Sequence, residues 1–199
     1  MNNLIKDNKT RDFYVWIDDQ NPIVRHNVGL IGCISSLPTE SNVDHFEFIP
    51  NPNFSAGFQS MFQSNLVHAY RVEYNLEIYR RAYFSNYPSR LEAIFLFETS
   101  EEAEKYKIHH PWHVGERKLM KGRSHGDYLF SRHDVGWIDF MLGIGSVDEG
   151  TVDAVTTEYW KGNSVKGKKF QQMGKPAMYV SNFEVLYRGR IDLDKSQLK

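Results

Sequence analysis

One carboxylate stands where carboxylates are costly. Residues 179–191 read YVSNFEVLYRGRI, a strand-like run of Tyr, Val, Phe and Leu with Glu184 inside it. A charged group there needs solvent or a partner. By two-residue alternation Glu184 shares a face with Asn182 and Leu186, opposite Phe183, Val185 and Tyr187. Two readings stay open: an acid on a solvent-facing edge, or a carboxylate set in a cleft to hold a hydroxyl or steady a cationic transition state. Pro88-Ser89-Arg90 poses the same choice. Pro and Ser form turns, and an arginine just before a strand is either a surface group or a two-pronged grip on a phosphate.

Five histidines, His109, His110, His113, His125 and His133, fall in one region, and His110-x-x-His113 has half the spacing of a zinc pair. Pro111 interrupts the helix that would align them, and no His-Glu-x-x-His or cysteine pair completes the set, so no metal is expected. Gly122-Arg123-Ser124-His125-Gly126 reads as a turn between strands or as a basic loop that touches an anion. The Gly-x-x-x-x-Gly-Lys-Ser/Thr and Gly-x-Gly-x-x-Gly patterns do not occur, which counts against phosphate-loop and dinucleotide-sheet readings.

The elements that must position these residues follow from patterning. DFYVWI (12–17) is an expected strand, closed by the turn Asp18 to Pro22. VGLIGCI (28–34) is a second short strand or a buried loop. Residues 35–57, rich in Ser, Pro and Asn, predict a long surface excursion with one short strand, HFEFI. Residues 58–83 predict the longest helix, with Phe62, Leu66, Tyr70, Tyr74, Ile78 and Ala82 on one face and a Glu77–Arg81 pair across a turn. Leu91–Phe97 predicts a strand, and Thr99 or Ser100 caps the helix that carries Glu101, Glu102, Ala103 and Tyr106. Two or three short strands separated by Gly122, Gly126 and Gly136 are expected between residues 116 and 142. A helix over 148–160, with Val152, Val155, Thr156, Tyr159 and Trp160 inward and Gly162 as its stop, precedes a Gly- and Lys-rich loop over 161–175. About three helices and six to eight strands in mixed order predict an α+β fold.

The totals bound the rest. The 199 residues suit a single domain, 1–199, able to bury a core without staples. Twenty-four Lys and Arg against 25 Asp and Glu argue against a protein held to nucleic acid by bulk charge, while a local face of Arg123, Lys161, Lys166, Lys168 and Lys169 keeps nucleic-acid binding as an alternative. Cys33 is the only cysteine, so no internal disulfide forms, as suits a reducing cytoplasm. MNNLIKDNKTRD carries no apolar signal core, and no run nears the ~20 apolar residues of a membrane span. The rich aromatic content builds either the core or a cleft that stacks a planar ring.

Three pieces occur in an order that carries a resemblance. Ser89-Arg90 leads into the strand with Phe95 and Phe97, and Thr99-x3-Ala103-x2-Tyr106 opens a helix. Ala154-x4-Tyr159-Trp160-x-Gly162 follows, and Phe183-Glu184-Val185-Leu186-Tyr187-x-Gly189 comes last. Together, over roughly residues 60–192, they resemble a bacterial and phage family of unknown function whose shape is similar to the ADP-ribosyltransferase superfamily. The resemblance implies a split, mixed β-sheet core with a cleft that grips NAD as co-substrate, in the cytoplasm, or the host cytoplasm for a phage-encoded chain. It implies Glu184 as the catalytic carboxylate and Asn182 on the acceptor side. Ser89, Arg90, Thr99, Ser100 and Tyr106 would contact the cofactor. The early-strand contact, a His or Arg in that superfamily, has no His here; Tyr14, Arg11 or the more distant Arg71 would take its place. That departure leaves a non-catalytic nucleotide- or protein-binding module of the same shape as the alternative.

Overall fold

Alternation sorts the first core. The DFYVWI strand is β2 (Asp12–Ile17), in which Phe13, Val15 and Ile17 are buried and Tyr14 and Trp16 half-buried. A computed structural model of the chain describes residues 3–36, 61–143, 148–172, 175–194 and 196. The expected HFEFI strand lies outside them. Two compact units form, one from residues 1–37, 87–133 and 182–199, the other from 38–86 and 134–181.

The first unit holds a six-stranded antiparallel sheet, where a mixed one was expected. Its long members are β5 (Lys118–Asp134) and β8 (Phe183–Leu193), which are neighbours. β2 pairs with the first half of β5 (Tyr14↔Lys121), and β1 (Leu4–Asp7) with the second (Ile5↔Phe130). β4 (Ile94–Leu96) pairs with the start of β8 (Leu96↔Val185), and β3 (Cys33–Ser35) with its end (Ile34↔Ile191). A two-hydrogen-bond bridge between Tyr14 and Phe97, both bonds 2.8 Å, joins β4 back to β2. The strands β2, β5, β8 and β4 thus close into a ring. Phe13, Val15, Ile17, Leu96, Met120, Tyr128, Phe130, Val185 and Tyr187 fill it. Phe13 meets Phe130 and Tyr187 edge-on, each at 5.5 Å. Burial pushes the Tyr187 phenol well above its ordinary range.

Several short strands were expected over 116–142; one long strand and a helix occupy them. Gly122 lies inside β5 because the backbone must come close to β8. A Cβ there would stand 2.4 Å from Ile191 Cγ2 and 2.8 Å from Leu193 Cδ2. Gly122→Ala is therefore expected to cost about 1–3 kcal/mol by overpacking, read as a lower denaturant midpoint at unchanged slope. Gly126, at φ 68°, bends the strand without ending it.

Short helices flank the sheet. The expected turn follows β2, with Asn21 N donating to Asp18 O at 3.3 Å, and Asn21 then caps α1 (Pro22–His26) by accepting from Ile23 N and Val24 N. A π-helix (Asn27–Ile31) takes the first part of the strand or loop expected over 28–34, and β3 begins at its end. α3 (Ser100–His109) is capped by Thr99, as expected, and α4 (Pro111–Val114) follows it.

The second unit packs α2 (Met61–Tyr83), α5 (Gly136–Gly143) and α6 (Glu149–Trp160), beside a hairpin of β6 (Phe170–Gln172) and β7 (Lys175–Ala177) within the expected loop. Six α-helices among the described residues replace the three expected. α5 was missed because its sequence, GWIDFMLG, is apolar at every position but Asp139 and has little period to read. On α2 the expected stripe winds off the core: Val72, Tyr74, Leu76 and Glu77 are buried, while Ile78 and Ala82 are exposed. Strict four-residue steps overshoot the ~3.6-residue turn. Glu77 does pair with Arg81, at 3.2 Å, and also with Arg80, at 2.7 Å. α6 follows expectation, with Asp148 capping it, Val155, Thr156, Tyr159 and Trp160 buried, and Trp160 Nε1 donating to Leu76 O at 3.0 Å.

Candidate functional site

The outer face of β2, β4 and β8 collects most of the residues singled out from sequence. Leu96, Val185 and Tyr187 point into the ring, so Phe95, Phe97, Glu184 and Leu186 lie on the other side. Tyr14 is on that side too. One register step beyond Leu96↔Val185 sets Phe97 opposite Glu184, so Tyr14, Phe97 and Glu184 run as a row across three strands.

Glu184 is buried, and Arg90 binds it through Nη1; the two side chains are only 4% and 9% exposed. The solvent-edge reading of Glu184 is thereby set aside. Arg90 reaches it because Ser89 closes a tight turn: Ser89 O accepts from Ala93 N at 2.9 Å, and Ser89 Oγ from Leu91 N at 3.2 Å. Ser89 is buried and serves that turn. The guanidinium also lies over the Phe95 ring, 4.9 Å from its centroid, and Phe95 is 39% exposed. Asn182, just ahead of β8, is buried. The pairing sets a buried carboxylate against a guanidinium, beside an accessible aromatic ring.

The β4–α3 connection carries the next group. Thr99 Oγ1 accepts from Glu102 N at 3.1 Å, which is its capping role. Ser100 is the first residue of α3. Backbone N–H first, then the Ser100 and Thr99 hydroxyls, hold the Glu101 carboxyl below its ordinary value, so the positive helix end is already served by a resident acid. Tyr106 is buried against Phe97, centroids 5.2 Å apart, and its hydroxyl meets His113 Nδ1 at 2.5 Å. Arg71 lies on α2 in the other unit and is not among this group. Arg11 bonds Asp7 at 3.1 Å, and its guanidinium sits over Phe130.

Two features escaped the sequence. Arg132 lies over Phe183, 3.7 Å from the ring centroid, and binds Glu98 at 2.9 Å and Glu102 at 2.6 Å. Glu98 and Glu102, four residues apart and so on one side of a helix start, were the only sequence signal that a cation belongs there. The Tyr106–His113 contact was hidden because Pro111 breaks the helix between them.

The histidines do not converge. His125 bonds Asp192 at 2.8 Å, and His133 Nε2 meets the buried Ser131 hydroxyl at 2.7 Å. No group of three or more His, Cys, Asp or Glu able to hold a metal occurs among the described residues. Among them, too, no helix is long and apolar enough to cross a membrane. Of the basic residues read as one face, Arg123 is in the first unit, 3.4 Å from Asp12, and Lys161, Lys166, Lys168 and Lys169 are in the second.

A family model described as "Protein of unknown function (DUF2441)" matches residues 7–173. Arg90, Thr99 and Tyr106 fall inside the match, and Glu184 beyond its end. No curated protein matches the chain.

Proposed function

The chain belongs to this family of proteins of unknown function, and from its own residues we propose that it is an ADP-ribosyltransferase-like enzyme that cleaves NAD and passes ADP-ribose to an acceptor. The observation that carries the reading is the buried Arg90–Glu184 pair, set beside Phe95, Phe97 and Tyr106 on one face. The motif order of the sequence supports it. The bond that breaks joins C1′ of the ribose to the nicotinamide nitrogen, and its electron pair leaves with nicotinamide. The ribose then carries oxocarbenium character, which a facing carboxylate stabilises. Glu184 supplies that charge. Arg90 holds Glu184 in place before substrate arrives and turns to the diphosphate as NAD enters. Phe95, which is exposed, offers a ring on which a planar base stacks, and the buried Phe97 backs the site. The lone free thiol, Cys33, fits a cytoplasmic setting, as NAD chemistry does.

The test is nicotinamide release from NAD by the purified chain, beside Glu184→Gln. Release is expected from the parent and a drop of at least ~100-fold in the variant, the scale on which single electrostatic stabilisers act. Equal release from both would overturn the assignment of Glu184. The slight exposure of Glu184 favours a second reading, a binding module that has kept the pair as a structural pin. Its signature is NAD bound without turnover, with affinity unaltered by Glu184→Gln.

A further inference from the structure

Beside the candidate site stand titratable groups to which the transfer step assigns no role. Tyr106 is buried on the Phe97 ring, and its phenol lies 2.5 Å from Nδ1 of His113, which is exposed. His110 stacks on Tyr106 at 4.3 Å and an interplanar angle of 23°, holding the phenol in place. The His113 carbonyl accepts from Arg117. Trp112, 78% exposed, stands 6.0 Å from the His113 ring. A phenol buried on one side and joined to a solvent-facing imidazole on the other is a path for one proton out of the site.

Resting on the transfer reading above, we propose that Tyr106 and His113 form the proton-accepting pair of this site, and that the acceptor accordingly attacks through an atom that carries a proton, as a hydroxyl does. The step balances as follows. As the acceptor oxygen bonds to C1′, its proton passes to the Tyr106 oxygen. The Tyr106 proton passes to His113 Nδ1, and the resulting imidazolium releases a proton to water. A carboxylate acceptor has no proton to lose and would need no such pair. Tyr106 touches the acceptor; His113, acting through it, is a positioning residue. Phe97, opposite Glu184 in register and in contact with Tyr106, keeps the two halves of the reaction adjacent.

The experiment uses the full chain with NAD, and water and methanol as acceptors. It compares the parent with Glu184→Gln, His113→Ala and Tyr106→Phe. His113→Ala is expected to lower kcat for transfer ~10²-fold or more, with KM for NAD unchanged. The acid limb that a histidine imposes between about pH 5 and 8 is expected to vanish. Added imidazole restores the rate in His113→Ala, which a purely structural role would not allow. Tyr106→Phe preserves the ring packing and loses the rate without rescue. If His113→Ala and Tyr106→Phe keep the parental rate and pH profile while Glu184→Gln is inactive, the proton pair is overturned and the transfer reading stands. If the parent itself releases no nicotinamide at saturating NAD, both fall together.

Discussion

Arg90→Ala is expected to lose about 3–5 kcal/mol of unfolding free energy, because a nearly buried Glu184 is left without its guanidinium. The contrast that gives this number meaning is the double replacement. Arg90→Met with Glu184→Leu removes both charges and refills the volume, and such swaps are commonly neutral or stabilising. Stability should therefore return to near the parental value while nicotinamide release does not. Urea denaturation of the two single variants and the double variant gives the coupling energy directly. A double variant as unstable as Arg90→Ala would mean that the site needs the ion pair itself to pack. A single variant at parental stability would mean that solvent reaches Glu184 readily.

The second large effect belongs to the other unit. Asp134 is fully buried and accepts from Gly136 N on one oxygen, and from Val165 N, Ser164 Oγ and Ser181 Oγ on the other, at 2.6–3.0 Å. It ties the start of α5 to the segment after α6 and to the chain ahead of β8. In Asp134→Ala the two hydroxyls, 2.8 Å apart, can still satisfy each other. The two backbone N–H groups cannot, and a buried donor left unmade costs ~1–3 kcal/mol, so a loss of about 2–6 kcal/mol is expected. Asp134→Asn should lose less. Its amide oxygen can keep the three-donor side, and only the Gly136 N–H then faces an NH2 group. Thermal unfolding of the three proteins checks both the size and the order. A parental Tm for Asp134→Ala would show that water takes the place of the carboxylate.

What was legible in the sequence was local chemistry. The Thr99 and Asp148 caps, the Glu77–Arg81 pair and the inner face of α6 each depend on residues within a few positions of one another. Glu184 was conspicuous because a charge inside an apolar run is an anomaly at any resolution. What stayed hidden depends on pairing at a distance. Arg90 reads as a turn residue until β4 is laid against β8. Gly122 reads as a strand break until Ile191 and Leu193 are opposite it. Asp134 looks like the end of a strand, and nothing near it in sequence announces Ser164, Val165 and Ser181. α5 shows the opposite failure, since apolarity broken only by Asp139 leaves little of the period by which a helix is recognised.

The ring of strands has a consequence for how the protein is made. β8 is the last strand of the sheet to be synthesised, yet it lies between β5 on one side and β3 and β4 on the other. Until it leaves the ribosome, β3 has no strand partner, β4 is held only through the Tyr14–Phe97 bridge to β2, and β5 keeps an open flank of unpaired N–H and C=O groups. The nascent first unit must therefore wait with an adhesive edge exposed. Its folding in the cell is governed by the arrival of residues 183–193, and a ribosome stalled before them would leave a chain that only a chaperone can hold soluble.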